Sequence, residues 1–232
     1  MKKILISNPR YGSTYATKVF HRYCEKHQPS IKATKLGYDR EFLLMNDGTY
    51  THRLPLDLRI MMIKRQREKG KELLYQLHSL HLFYEYKDGI VLDWFKEFYK
   101  DSEIYTLRRK DLWHALLSLI VHWNSDNMPN KRWHWKSDHD VYNLREWYKK
   151  NPVKKLDILI DPFIKHIGYL NIIDQEIETK KLWLEDLDLS FLNVEAKVNT
   201  KPHNLNYEEF FNESELEHIR ARLRRHKAPF HF

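Results

Sequence analysis

The chain has 232 residues, 42% hydrophobic and 14% aromatic, with 40 Lys and Arg against 32 Asp and Glu for a formal charge of +8. Such a chain can bury a sizeable core within one domain, and its positive surplus favours phosphate-bearing or otherwise anionic partners. No apolar run approaches the about 18 residues of a membrane-spanning helix, the Lys2-Lys3 start meets Pro9-Arg10 too soon for a secretory signal, and the single cysteine, Cys24, excludes an internal disulfide and a cysteine-based zinc site.

The first expected element is a strand over 3–7, Lys3-Ile4-Leu5-Ile6-Ser7, which breaks into Asn8-Pro9-Arg10-Tyr11-Gly12-Ser13-Thr14 and then into a helical pattern over 14–27. A strand, a tight loop and a helix start make an anion cradle. The first N–H groups of the helix have no intrahelical partner, the helix dipole favours negative charge there, and Ser13 and Thr14 add hydroxyl donors. Arg10 supplies a mobile positive charge. The loop lacks G-x-x-x-x-G-K-[ST], so a nucleoside-triphosphate loop with its Mg²⁺-binding hydroxyl is not written here. Pro-Arg-Tyr-Gly-Ser-Thr resembles the phosphosulfate-binding loop of the sulfotransferases, which follows the first strand and reads approximately P-[KR]-x-G-[ST]-[ST]. The resemblance implies that Arg10, Tyr11, Gly12, Ser13, Thr14 and Tyr15 contact the donor, 3′-phosphoadenosine-5′-phosphosulfate, with Arg10 stabilising the bridging oxygen as it leaves.

A short strand near 31–36 and a loop at Gly37 lead into Tyr38-Asp39-Arg40-Glu41-Phe42-Leu43, which should return to the same end of the sheet as the first loop. In part of the sulfotransferase family a glutamate in this region takes the acceptor proton, so the resemblance makes Glu41 the base with Asp39 in reserve. Other members use a histidine on a later strand, for which His78 and His81 are the candidates. Helical material over 55–78, carrying a basic run over 59–71, precedes a strand over 79–86 and a helix near 90–100.

The triplet Arg108-Arg109-Lys110 then sits at the corner between a strand over 103–107 and an apolar helix over 112–123, for which Asp111 is the N-cap. Ser118 lies seven residues after Asp111, about two turns on, and projects on the side of that corner. An arginine and a serine can then hold one anion together. This segment resembles the sulfotransferase stretch that binds the 3′-phosphate of the donor, in the form closest to bacterial and phage-type members. The usual arginine-to-serine spacing in that family is eight residues; here Lys110 holds that position and Arg109 stands nine before the serine. Arginine offers a fork that fits two phosphate oxygens whereas lysine is a point charge, so Arg109 is favoured, with Arg108 or Lys110 assisting.

Over 124–155 the tryptophans 133, 135 and 147 are interleaved with His134, His139, Asp138 and Asp140, but without a recurring ligand spacing, so no metal is expected. These aromatics suit packing, or one wall of an acceptor pocket. Near the C-terminus, Asn199-Thr200-Lys201-Pro202-His203 resembles the late sulfotransferase loop that folds back over the nucleotide, which implies Lys201 and His203 as cofactor contacts. A final helix follows, with cap and first-turn acids at Asn212-Glu213-Ser214-Glu215 and a basic run over 220–227. Both basic runs suit solvated helix faces; steering of an anionic cofactor or acceptor is the functional alternative.

Strands alternating with helices argue for a parallel sheet covered on both faces, which binds ligands beyond the carboxyl ends of its strands. The resemblance covers about 1–45, 79–123 and 180–228. It implies a P-loop-like three-layer α/β fold, a central parallel sheet flanked by helices, in one domain over 1–232 with helical insertions near 45–78 and 124–180. It also implies a sulfotransferase that moves a sulfuryl group to a hydroxyl or amine of a small-molecule or glycan acceptor, leaving adenosine 3′,5′-bisphosphate, without a metal. Three other readings stand beside it: a non-catalytic relative that binds the nucleotide, a nucleotide-dependent phosphotransferase, and a basic nucleic-acid-binding protein. The second lacks a Walker lysine and the third lacks a recognised nucleic-acid signature, so nucleic acid is not the expected partner. A cytoplasmic location without a membrane partner is the expectation.

Overall fold

Ile4, Leu5, Ile6 and Ser7 are each 0% exposed, as a strand covered on both faces requires. In the computed structural model, which describes residues 2–8, 11, 57–58, 60–61, 64–65, 75–125, 128, 138–152, 156–187 and 205–225, they belong to β1 (Lys2–Ser7). The helix and strand expected over 14–27 and 31–36 lie outside the described residues. Among the described residues the next strand is β2 (Tyr75–His78), so helical material stops short of 78, and a 3₁₀ turn (Ser79–Phe83) replaces most of the strand expected over 79–86. Ser79 and Leu82, three apart, both face inward as such a turn places them, a spacing that short apolar runs do not distinguish from a strand.

A small antiparallel hairpin, β3 (Glu85–Tyr86) and β4 (Gly89–Ile90), leads into α1 (Val91–Phe98). Lys87 takes the left-handed conformation (φ 53°) that the tight turn demands, and a Cβ on Gly89 would stand 2.9 Å from Oδ2 of Asp93. Then come β5 (Ser102–Arg108), α2 (Leu112–Asn124), α3 (Asp138–Lys150), α4 (Asp157–Glu176), β6 (Lys180–Trp183) and α5 (Glu213–Arg225). Among the described residues the main sheet has four strands in the order β2-β1-β5-β6, and every pairing is parallel. The protein is therefore α/β, with a parallel sheet flanked by helices. No helix among the described residues is long and apolar enough to cross a membrane.

The chain divides into two compact units, Met1–Arg108 with His166–Asn193, and Arg109–Lys165 with Val194–Phe232. The first holds the sheet. Its core is built from Ile4 to Ile6 of β1, Leu77 of β2, Leu82, Phe95 of α1, and Ile104 to Leu107 of β5. The described residues of the second are mainly helical. Leu112 and Ala115 to Val121 are all buried, so α2 is enclosed nearly all round, as an apolar helix must be. Tyr148 of α3 meets Phe210 edge-on at 5.5 Å, and burial pushes its hydroxyl far above the ordinary phenol range.

Asp111 caps α2 as expected, accepting from His114 N at 2.8 Å. At α5 the expected cap is a reciprocal box: Asn212 Oδ1 accepts from Glu215 N at 2.9 Å, and Glu215 Oε2 accepts from Asn212 N at 2.8 Å. Asn212→Ala is expected to cost about 0.5–2 kcal/mol, read from the midpoint of urea unfolding. Leu216, Ile219 and Leu223 turn inward from α5. Three of its four arginines are paired with carboxylates: Arg222 forks onto Asp161 at 3.0 and 2.8 Å, Arg220 reaches Glu213 at 3.2 Å, and Arg224 reaches Glu217 at 3.2 Å.

Candidate active site

Among the described strands β1 lies between β2, which follows it in sequence on one side, and β5 on the other. The strand order reverses between β1 and β5. Open parallel sheets bind ligands in the crevice beyond the carboxyl ends of strands at such a reversal. Register sets the ends level: Ser7 pairs with His78 across β1 and β2, Ile6 with Thr106 across β1 and β5, and Arg108 with Trp183 across β5 and β6.

At the end of β1 the chain turns at once, with Tyr11 N donating to Asn8 O at 3.3 Å. Asn8 and Tyr11 are 1% and 2% exposed. Ser79, the first residue after β2, donates its hydroxyl to Asn8 Oδ1, tying the exit of β2 to the exit of β1. Among the described residues Ser7 Oγ and Asn8 Nδ2 are buried without a hydrogen-bond partner, polar capacity of the kind that a native fold normally satisfies. His78 and His81 are both buried here, with rings 5.4 Å apart and edge-on, and the His81 ring lies 5.6 Å from that of Tyr84.

At the end of β5, Arg108 is held within the first unit. Its Nη1 donates to Asn171 Oδ1 at 2.9 Å, and its Nη2 donates to Leu170 O at 2.9 Å and to Asp174, with which it forms an ion pair. Asp174 also accepts from Thr106 at 2.9 Å and Thr179 at 2.6 Å. Burial alone would raise its pKa, but the Thr179 hydrogen bond, the Arg108 charge and the Thr106 hydroxyl outweigh it, and the carboxyl titrates below its ordinary range.

The second unit begins with the other two bases of the triplet. Arg109 is half-buried and Lys110 exposed, immediately before the cap of α2. Ser118, two turns along α2, is 4% exposed. The first turn of α2 also anchors a late segment: Trp113 Nε1 donates to Glu208 Oε1 at 2.7 Å, and the His114 ring meets Tyr207 edge-on at 4.8 Å. The guanidinium of Arg220 lies 5.4 Å from the Trp113 ring centre.

Of the candidate residues, Tyr11, His78, His81 and Arg108 thus stand in the first unit, and Arg109, Lys110 and Ser118 in the second. Arg10, Gly12, Ser13, Thr14, Tyr15, Asp39, Glu41, Lys201 and His203 lie outside the described residues. Asn8, Ser79 and Asp174 carry no motif, since a lone carboxylate in Ile172-Ile173-Asp174 becomes informative only once Arg108 is found against it. No protein-family model matches the chain, and no curated protein matches it.

Proposed function

We propose that the protein is a sulfotransferase of the P-loop-like three-layer kind, moving a sulfuryl group from 3′-phosphoadenosine-5′-phosphosulfate to a hydroxyl or amine of a small-molecule or glycan acceptor. The observation that carries this reading is the strand order. The segment resembling the phosphosulfate loop follows β1 and the segment resembling the 3′-phosphate corner follows β5, the two adjacent parallel strands at which the order reverses. The anchoring of Tyr207 and Glu208 on the first turn of α2 supports it too, because that segment follows the stretch resembling the late nucleotide loop.

In the reaction the acceptor oxygen or nitrogen attacks sulfur while the bond from sulfur to the bridging phosphate oxygen breaks. Adenosine 3′,5′-bisphosphate departs and a base takes the acceptor proton. Arg10 meets the charge that develops on the bridging oxygen. Glu41 or Asp39 would serve as base in one version, His78 or His81 in the other. The histidines gain support from their setting, because His78 pairs in register with Ser7 at the end of β1. Along α5, Arg220, Arg222 and Arg224 each meet a carboxylate, which leaves less unpaired positive charge on that helix for a nucleic-acid backbone.

The test is turnover of the phosphosulfate donor against sugars, phenols and amines, followed by release of the bisphosphate. Transfer to at least one acceptor is expected; donor binding without transfer to any would favour a non-catalytic nucleotide-binding protein. Arg109→Ala is expected to weaken the bisphosphate by about 1.5–3 kcal/mol while changing adenosine 5′-monophosphate little, measured by calorimetry.

A further inference from the structure

We infer that Arg108 is a positioning residue, held by Asp174, and not a ligand of the 3′-phosphate; the assignment rests on the sulfotransferase reading. An arginine chelates phosphate through two neighbouring donors, on either its Nε–Nη2 or its Nη1–Nη2 edge. Both edges need Nη2. In Arg108 the two hydrogens of Nη2 are committed, one to Leu170 O and one to Asp174, while Nη1 donates to Asn171. Neither edge is left for a bidentate grip on phosphate.

The surroundings make that commitment hard to reverse. The side chains of Arg108 and Asp174 are only 11% and 8% exposed, and Asp174 is further fixed by Thr106, Thr179 and, at 3.5 Å, Lys181. Turning Arg108 toward a ligand would leave a buried carboxylate with only the solvent-exposed Lys181, at 3.5 Å, as counter-charge. These contacts come from β5, the C-terminal part of α4 and the start of β6, so they fasten the end of β5 to the elements beside it. Arg109 is the next residue in the chain. Its starting point is therefore set by an arginine whose own charge is neutralised, which separates two roles within three consecutive cationic residues.

The experiment compares adenosine 3′,5′-bisphosphate with adenosine 5′-monophosphate by calorimetry on the full chain, for wild type, Arg108→Met, Arg109→Met and Lys110→Met, at a temperature where each is folded. The readout is the ratio of the two affinities, because loss of a strut can lower both while only loss of a phosphate ligand lowers the ratio. Arg109→Met is expected to reduce the ratio about ten- to hundredfold, and Arg108→Met to keep it within about twofold. A collapse of the ratio in Arg108→Met as large as in Arg109→Met would overturn the assignment. A second arm needs no nucleotide: Arg108→Met combined with Asp174→Leu should recover much of the thermal stability that Arg108→Met loses, because the stranded carboxylate is gone. Additive losses would refute the strut. If wild type fails to prefer the bisphosphate, the sulfotransferase reading falls, while recovery in the double variant would still uphold the strut itself.

Discussion

Arg10→Ala is expected to lower turnover of the phosphosulfate donor roughly 10²–10³-fold, the loss typical of removing one preorganised group that meets developing charge. The affinity for the intact phosphosulfate donor should fall far less. In the ground state the bridging oxygen carries little of the negative charge that it gains as the bond to sulfur breaks, so the cation contributes most in the transition state. The check is the maximal rate of transfer alongside calorimetric binding of the donor in the absence of acceptor. Equal losses in rate and affinity would assign Arg10 to binding alone.

Asp174→Ala is expected to destabilise the protein by about 3–5 kcal/mol, because it leaves the Arg108 guanidinium buried without its counter-charge. The same pair makes a prediction about pH. The folded-state pKa of Asp174 lies below its ordinary value, so the ionised carboxylate contributes stability that is fully present above about pH 4 and is lost as the pH falls through that value toward the depressed one. Urea midpoints at pH 7 and pH 3 should therefore converge in Asp174→Asn relative to wild type. An unchanged difference between the two pH values would remove Asp174 from the acid dependence.

Much of the fold could be read because local signals agreed with tertiary packing. The apolar run at Ile4-Leu5-Ile6, the cap at Asp111 and the cap at Asn212 each stand where propensity and hydrogen-bonding chemistry put them. The strand expected over 79–86 did not, since β2 ends at His78 and the chain turns where Ser79 reaches Asn8, a residue distant in sequence. The basic corner was visible as a triplet of cations at a strand-to-helix junction. Its division of labour was not, because the partner of Arg108 lies on α4, and nothing in the spacing of Leu170, Asn171 and Asp174 distinguishes them from other residues of an amphipathic helix. The exit of β1 was visible as a loop, while the buried amide of Asn8 became evident only from the sheet order and register that bring β2 beside it.

Nucleotide preference tests the central claim most directly. Thermal unfolding would be followed with adenosine 3′,5′-bisphosphate, adenosine 5′-monophosphate, and ATP with Mg²⁺, each at matched concentration. A ligand that binds only the native state raises its stability by about 2.7 kcal/mol at a hundred times its dissociation constant, so differences in affinity appear as differences in melting temperature. A sulfotransferase should be stabilised most by the bisphosphate, whose 3′-phosphate the monophosphate and ATP both lack. A larger stabilisation by ATP with Mg²⁺, or equal stabilisation by the monophosphate and the bisphosphate, would contradict it.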